Sequence, residues 1–234
     1  MKTNGPDIRR TESRSLRRLV VALDRFNQRH PWSHNDWFHP WIMRNLPRER
    51  RSALEVGCGR GELARALAAH FGQVRAVDPD AEMVRLAEDR LGPLRHVSVE
   101  QSSFLETDGG YDLVTMVAVL HHMDVAAALT HARQLLRPGG RLLIVGLSRM
   151  TSKSDLIWDT ASAVLNPIIG LIKHPRVAAP MAGVPFPTAE PLLSFDELDV
   201  IAAQLLPGAR LRRRLFFRHT LTWEQACDAP SVNK

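Results

Sequence analysis

The chain has 234 residues, of which 44% are apolar, 24% charged and only two are cysteines. That composition belongs to one large globular domain with arms, and it excludes a disordered chain, a fibrous repeat and a miniprotein stapled by disulfides or zinc. The net charge of +6 is local: residues 1–51 hold 12 Lys/Arg against 5 Asp/Glu and residues 52–234 hold 19 against 20, so the body lacks the basic stripe of a nucleic-acid enzyme.

No apolar run approaches the ~20 residues that a bilayer span requires. The first residues carry no apolar stretch of a secretory signal, so a cytoplasmic protein is expected. Leu16, Leu19, Val20, Leu23 and Phe26 fall at helical spacing. The segment from His30 to Pro47 is rich in His and aromatic residues and is broken by Pro31 and Pro40. The spacing of His30, His34 and His39 is not one that zinc uses. This cluster either packs an N-terminal arm on the core or forms a lid whose His34, Asn35 and His39 touch cofactor or substrate, with Trp37 as a further substrate contact.

At Ala53 the pattern changes. Ala53–Val56 reads as a strand, Leu63, Leu67 and Phe71 mark a helix, and Val74–Val77 is a second strand ending at Asp78. Met83, Val84, Ala87 and Leu91 mark a second helix, stopped by Gly92-Pro93. Val97–Val99 is a third strand. Tyr111–Val117 is a fourth, apolar enough to be buried on both faces. Asp124 can cap a helix through Leu136; Arg137-Pro138-Gly139-Gly140 reads as a turn, and Arg141–Leu147 as a fifth strand.

Residues 148–193 break this rhythm with an amphipathic stretch, Leu156–Ile172, and a Pro-rich one. They are expected to form an inserted lid or substrate region, in which Trp158 is either a substrate contact or part of a buried helix. Ser194 and Glu197 are spaced as a capping box for a helix reaching Leu206, and Arg210–Phe217 and His219–Trp223 read as two closing strands.

Strands alternating with helices predict βαβ units. The expected fold is α/β: a doubly wound, Rossmann-like sandwich with a seven-stranded, mostly parallel sheet and a C-terminal antiparallel hairpin. The expected organisation is an arm (1–51), a ligand-binding core (52–147), the insertion (148–193), the closing helix and strands (194–227) and a tail (228–234).

The motif that carries chemistry is Gly57-Cys58-Gly59-Arg60-Gly61, between the first strand and a helix. Its glycines let backbone approach a ligand closely, and the helix that follows offers unpaired N–H groups. Asp78 stands 17 residues after Gly61 at a strand end, where a carboxylate suits a ribose diol. The Gly-x-Gly-x-Gly spacing, with Glu55 two residues ahead of it, disfavours a dinucleotide pyrophosphate, whose turn is Gly-x-Gly-x-x-Gly.

LEVGCGRGELARAL, AVDPDAEMV, YDLVTMVAVLHHMD and LLRPGGRLLIVGL together resemble, in order and spacing, the motifs of class I S-adenosylmethionine-dependent methyltransferases. The resemblance covers residues 52–147 densely and is strongest to small-molecule enzymes similar to quinone-biosynthesis methyltransferases. It implies S-adenosylmethionine as cofactor and S-adenosylhomocysteine as product. It places Glu55 and the backbone of Gly57, Cys58, Gly59 and Gly61 at the methionine end and Asp78 at the ribose. Pro79 and Met83 would lie at the adenine, and Ala118 and Val119 at the methyl. Where the family usually has Asp for the adenine amino group, this chain has Ser103, ahead of Phe104, so a hydroxyl replaces a charge.

Methyl transfer needs proximity, alignment and a path for the acceptor's proton. His121 and His122 follow the fourth strand, where an imidazole can be a general base near neutral pH; alternatively the pair caps the next helix or contacts the cofactor's surroundings. No set of carboxylates accompanies them, so no metal is expected. The expected function is methyl transfer to an O, N or C atom of a small, fairly apolar metabolite, in secondary metabolism, by a monomer or homodimer that binds no nucleic acid. The alternatives are an RNA or protein methyltransferase, and a non-methylating member of the fold such as a cyclase or a cofactor-binding module.

Overall fold

The computed structural model describes residues 35–149, 191–215 and 218–227. The predicted helix at 16–26, the insertion between 150 and 190, and the tail lie outside the described residues. So do His34 and Trp158.

Among the described residues seven strands are present: β1 (Ser52–Val56), β2 (Gln73–Asp78), β3 (Val97–Gln101), β4 (Tyr111–Val117), β5 (Leu136–Leu147), β6 (Arg210–Arg214) and β7 (Arg218–Glu224). They form one sheet in the order β3-β2-β1-β4-β5-β7-β6. The first five run parallel. β7 is antiparallel to both β5 and β6. β1 is buried at every position and β4 at all but its last, as expected of central strands covered on both faces.

The helices are α1 (His39–Arg44), α2 (Glu62–Ala68), α3 (Ala81–Leu91), α4 (Val125–Leu135) and α5 (Phe195–Leu205). Leu129 and Ala132 of α4 and Leu198 and Ala202 of α5 share one apolar cluster with Val114, Met116 and Ile144. Ile42 of α1, Leu63 and Leu67 of α2, and Leu91 of α3 share another with Leu113, Leu143 and Val145. Neighbouring residues of β4 and β5 thus point to opposite layers, the alternation that makes a doubly wound sandwich.

Local signals set the helix starts. The Asp124 carboxylate accepts from Ala127 N–H at 2.8 Å, and Ser194 and Glu197 form the reciprocal capping box. One boundary differs from expectation. α4 ends at Leu135, and β5 begins at Leu136 and runs through Pro138-Gly139-Gly140. Leu136 pairs with Tyr111, and a register shift between Tyr111 and Leu113 absorbs the extra residues. Gly139 and Gly140 are then tied to Gln225 by two backbone hydrogen bonds of 2.9 and 2.8 Å.

The sheet order reverses direction between β1 and β4, so the carboxyl ends of these strands open a crevice of the kind in which α/β proteins bind ligands. The opposite edge is structural. Asp112 is 1% exposed and accepts from the Arg51 guanidinium (2.8 Å) and from the backbone N–H of Arg51 (2.7 Å) and Ser52 (3.2 Å).

Candidate active site

Gly57, Gly59 and Gly61 all have positive φ, at 66°, 53° and 75°. The N–H groups of Gly57 and Cys58 donate to Val77 O at 2.8 and 3.0 Å, which pins the loop to the end of β2. A Cβ at Gly57 would run into the Val119 side chain, so this glycine is also where the loop meets the turn after β4. The Cys58 thiol is buried, and burial pushes its pKa up; it stays protonated and is no nucleophile.

Asp78 is buried and both its oxygens are engaged by backbone. Gly59 N–H donates to Oδ2 at 2.9 Å and Asp80 N–H to Oδ1 at 3.0 Å. One carboxylate therefore shapes the glycine loop and the start of α3, with lone pairs left for further donors. Burial pushes the Glu55 carboxyl well up, against the hydrogen bond it receives from Ala64. Its Oε2 is buried with no partner. A buried acceptor left without a donor costs about 1–3 kcal/mol, so this atom is set up for a donor from a ligand. The orphaned acceptor, the positive-φ loop and the β2 carboxylate together fit a ligand with a cationic amine at one end and a diol beyond it.

The second half of the site follows β4. Ala118 is left-handed, with φ 57°, without being glycine, a conformation that persists only where the surroundings enforce it. Its N–H donates to Val145 O at 2.7 Å. The chain then enters a 3-10 turn, Leu120–His122. His121 is half-buried and His122 exposed, with ring centroids 4.1 Å apart.

His121 lines a cavity of about 250 Å³ with Leu120, Met123, Leu147, Leu198, Ile201 and His219. Burial, then His122 and Arg218, push His121 down to about 4, and its buried Nδ1 has no partner. His219 comes from β7, is 2% exposed, and has its Nδ1 2.7 Å from Ser148 Oγ. Burial, then Arg218 and His121, push it down to about 3.

The methyltransferase-domain family model matches residues 54–142. An uncharacterised methyltransferase of Mycobacterium tuberculosis is 32% identical, over 82% of this chain and 96% of its own length. The chain belongs to the class I S-adenosylmethionine-dependent methyltransferases. The biotin biosynthesis bifunctional protein of Bordetella avium is 33% identical over 72% of this chain and 37% of its own length. Among solved structures, the N-methyltransferase NodS of Bradyrhizobium japonicum, in complex with S-adenosylhomocysteine, matches the fold with a TM-score of 0.54 at 17% identity. That match covers 88% of this chain and 97% of that one. The methyltransferase is an enzyme that takes its methyl group from S-adenosylmethionine.

Glu55, Gly57, Cys58, Gly59, Gly61, Asp78, Ala118 and Val119 of the methyltransferase gather at the ends of β1, β2 and β4. Pro79 is exposed next to Asp78, and Ser103 is exposed at the head of the 3-10 turn Phe104–Glu106. Met83 is 2% and Phe104 4% exposed, and Phe104 packs edge-on against His131 at 4.9 Å.

The His pair separates. His121 lines the cavity and His122 is not among its lining. Neither caps α4, because Asp124 does, and burial pushes the His121 imidazole down to about 4. His39 is half-buried in α1 and Trp37 is 38% exposed just ahead of it; neither lines the cavity. Sequence reasoning missed His219 and Ser148, whose side chains meet only through the pairing of β7 with β5. Among the described residues no helix is long and apolar enough to cross a membrane.

Proposed function

We propose that this methyltransferase acts on a small, fairly apolar molecule, methylated at O, N or C, that sits in the cavity beside His121. The observation that carries the reading is the cavity lining. Apolar residues, among them Leu120, Met123, Leu147, Leu198 and Ile201, supply most of it. Among the described residues the only charged side chain lining it is Asp124, whose carboxylate is engaged in capping α4. Such a pocket rewards an uncharged, mostly hydrocarbon ligand.

Glu55 and the backbone of Gly57, Cys58, Gly59 and Gly61 hold the methionine end of the cofactor, and Asp78 the ribose hydroxyls. Pro79 and Ser103 would flank the adenine. When bound, S-adenosylmethionine supplies an electrophilic methyl on a sulfonium. Ala118 and Val119 would face its methionine moiety and the methyl. His121 orients the acceptor atom and takes a hydrogen bond or a proton from it, since its imidazole is neutral at ordinary pH. No metal takes part. The near-neutral charge of residues 52–234 supports a small-molecule enzyme over one acting on RNA.

The test is release of S-adenosylhomocysteine over a panel of small apolar alcohols, phenols, amines and active-methylene compounds, with and without EDTA. Turnover with at least one class, unchanged by EDTA, is expected. Methylation of RNA or protein alone, or a strict Mg²⁺ requirement, overturns the reading.

A further inference from the structure

We propose that the β6 edge of the sheet docks the enzyme on an anionic lipid surface, through a ridge formed by Arg210, Arg212 and Arg214. Such docking is independent of what the cavity holds and is tested without any acceptor.

The body is near neutral as a whole, yet residues 200–223 hold five arginines and no Asp or Glu. All five fall on β6 or at the start of β7, and β6 is an outer strand of the sheet. Alternation along the strand sorts them. Leu211 packs against the apolar cluster of α4 and α5. The Arg213 guanidinium lies over the Phe195 ring at 4.0 Å and donates to Asp196 at 3.2 Å. These two positions face α5. Arg210, Arg212 and Arg214 therefore share the other face, along about 13 Å of strand.

On that face the positions across the ladder are Thr222, Thr220 and Arg218, none of them acidic. Glu224, farther along β7, is paired with Arg141 at 2.8 Å, and Asp196 is held by Arg213 on the opposite face. Arg210 and Arg212 are exposed. Arg214 donates to Thr220 Oγ1 at 3.0 Å. Burial, then Arg212, push the Arg214 guanidinium below its ordinary value, as befits a cation beside another cation.

The N-terminal arm brings more of the same charge. Arg218 Nη2 donates to Asn35 Oδ1 at 3.0 Å, and residues 1–34, which precede Asn35 in the chain, hold 8 Lys/Arg against 3 Asp/Glu.

A bilayer suits the ridge better than a macromolecule of defined shape. A protein interface draws its affinity from buried anchors at its centre, and a single-stranded nucleic acid from aromatic platforms among the cations. The arginines of the ridge alternate with neither; their cross-strand neighbours are Thr220 and Thr222. A second copy paired β6 to β6 would set arginine against arginine. An anionic bilayer needs only charge, and each Arg near its surface strengthens binding about 5-fold. Docked there, the enzyme sits where apolar molecules concentrate.

The full chain is sedimented at low salt with vesicles of phosphatidylcholine alone, and with vesicles of phosphatidylcholine and phosphatidylglycerol in equal parts. Binding to the mixed vesicles should be at least about 10-fold tighter and should fall as salt screens the charges. Arg210→Gln combined with Arg212→Gln should weaken it at least about 10-fold, with S-adenosylhomocysteine affinity unchanged, which also reports that the variant is folded. Arg65→Gln combined with Arg95→Gln removes the same charge from exposed positions on α2 and ahead of β3, the other outer strand; it should leave vesicle binding near that of the wild type. An equal loss in that control, or no loss in the Arg210 and Arg212 variant, overturns the proposal. So does tighter binding to a DNA duplex or a single-stranded RNA than to the mixed vesicles. Equal binding to both kinds of vesicle overturns it as well, and leaves the arginines with the task of keeping other strands off an open edge.

Discussion

Gly57 is bound to be glycine for two independent reasons, its φ of 66° and the Val119 side chain in the space of a Cβ. Gly57→Ala should cost about 2 kcal/mol or more, from about 1–2 for the left-handed backbone and about 1–3 for overpacking. Val119→Ala in the same chain should return the overpacking share and leave the backbone share, as read by urea denaturation. Asp78→Ala should weaken S-adenosylhomocysteine binding at least about 10-fold, because a charge-assisted hydrogen bond contributes about 1.5–3 kcal/mol. The two backbone anchors of Gly59 and Asp80 go with it, and calorimetry measures the loss. His121→Ala should lower the single-turnover rate about 10²-fold, the low end for positioned proton transfer, because an imidazole pushed down to about 4 is a weak base. The wild-type rate should then stay level from about pH 6 to 9 and fall only as pH drops towards 4, where His121 gains a proton.

At the scale of elements, β7 brings an acid-sensitive group into the sheet. The folded chain holds His219 near 3 against an ordinary value of 6.5, so the unfolded chain binds that proton more readily. The stability in question is whole above pH 6.5 and is lost as pH falls through the interval towards 3. His219→Gln should flatten that acid limb in denaturation curves taken at several pH values. Helix α5, whose Leu198 and Ile201 line the cavity, depends on its cap, and Ser194→Ala should cost about 1 kcal/mol. That cap was legible in the sequence because Ser194 and Glu197 are three residues apart. The turn at Gly57–Gly61 and the carboxylate at Asp78 were legible for the same reason, as motifs confined to one βαβ unit. The cavity wall was not. Gly146 and Ser148 meet His219 across a strand pairing that spans some 70 residues, and no local pattern marks a pairing of that range. The start of β5 at Leu136 was hidden in a similar way: Pro-Gly-Gly reads as a turn until Gln225 and Tyr111 supply ladder partners.

For the whole molecule, the distribution of charge sets the response to salt. The body that builds the site is close to neutral, so KM for the acceptor should hardly move between about 50 and about 200 mM salt, an interval over which a phosphate-binding enzyme loses affinity by orders of magnitude. Initial-rate measurements across that range check it. The sheet order carries a consequence for synthesis. β7 follows β6 in the chain but lies between it and β5, so β6 has no place in the sheet until β7 has emerged. At ~5–20 residues per second a ribosome needs several seconds to travel from the end of β5 to β7. During that time Leu142–Val145 present an open, apolar hydrogen-bonding edge to every other nascent chain. A chain stopped at residue 215 keeps that edge for good, and it should be found in inclusion bodies or on holdase chaperones rather than as a smaller soluble enzyme.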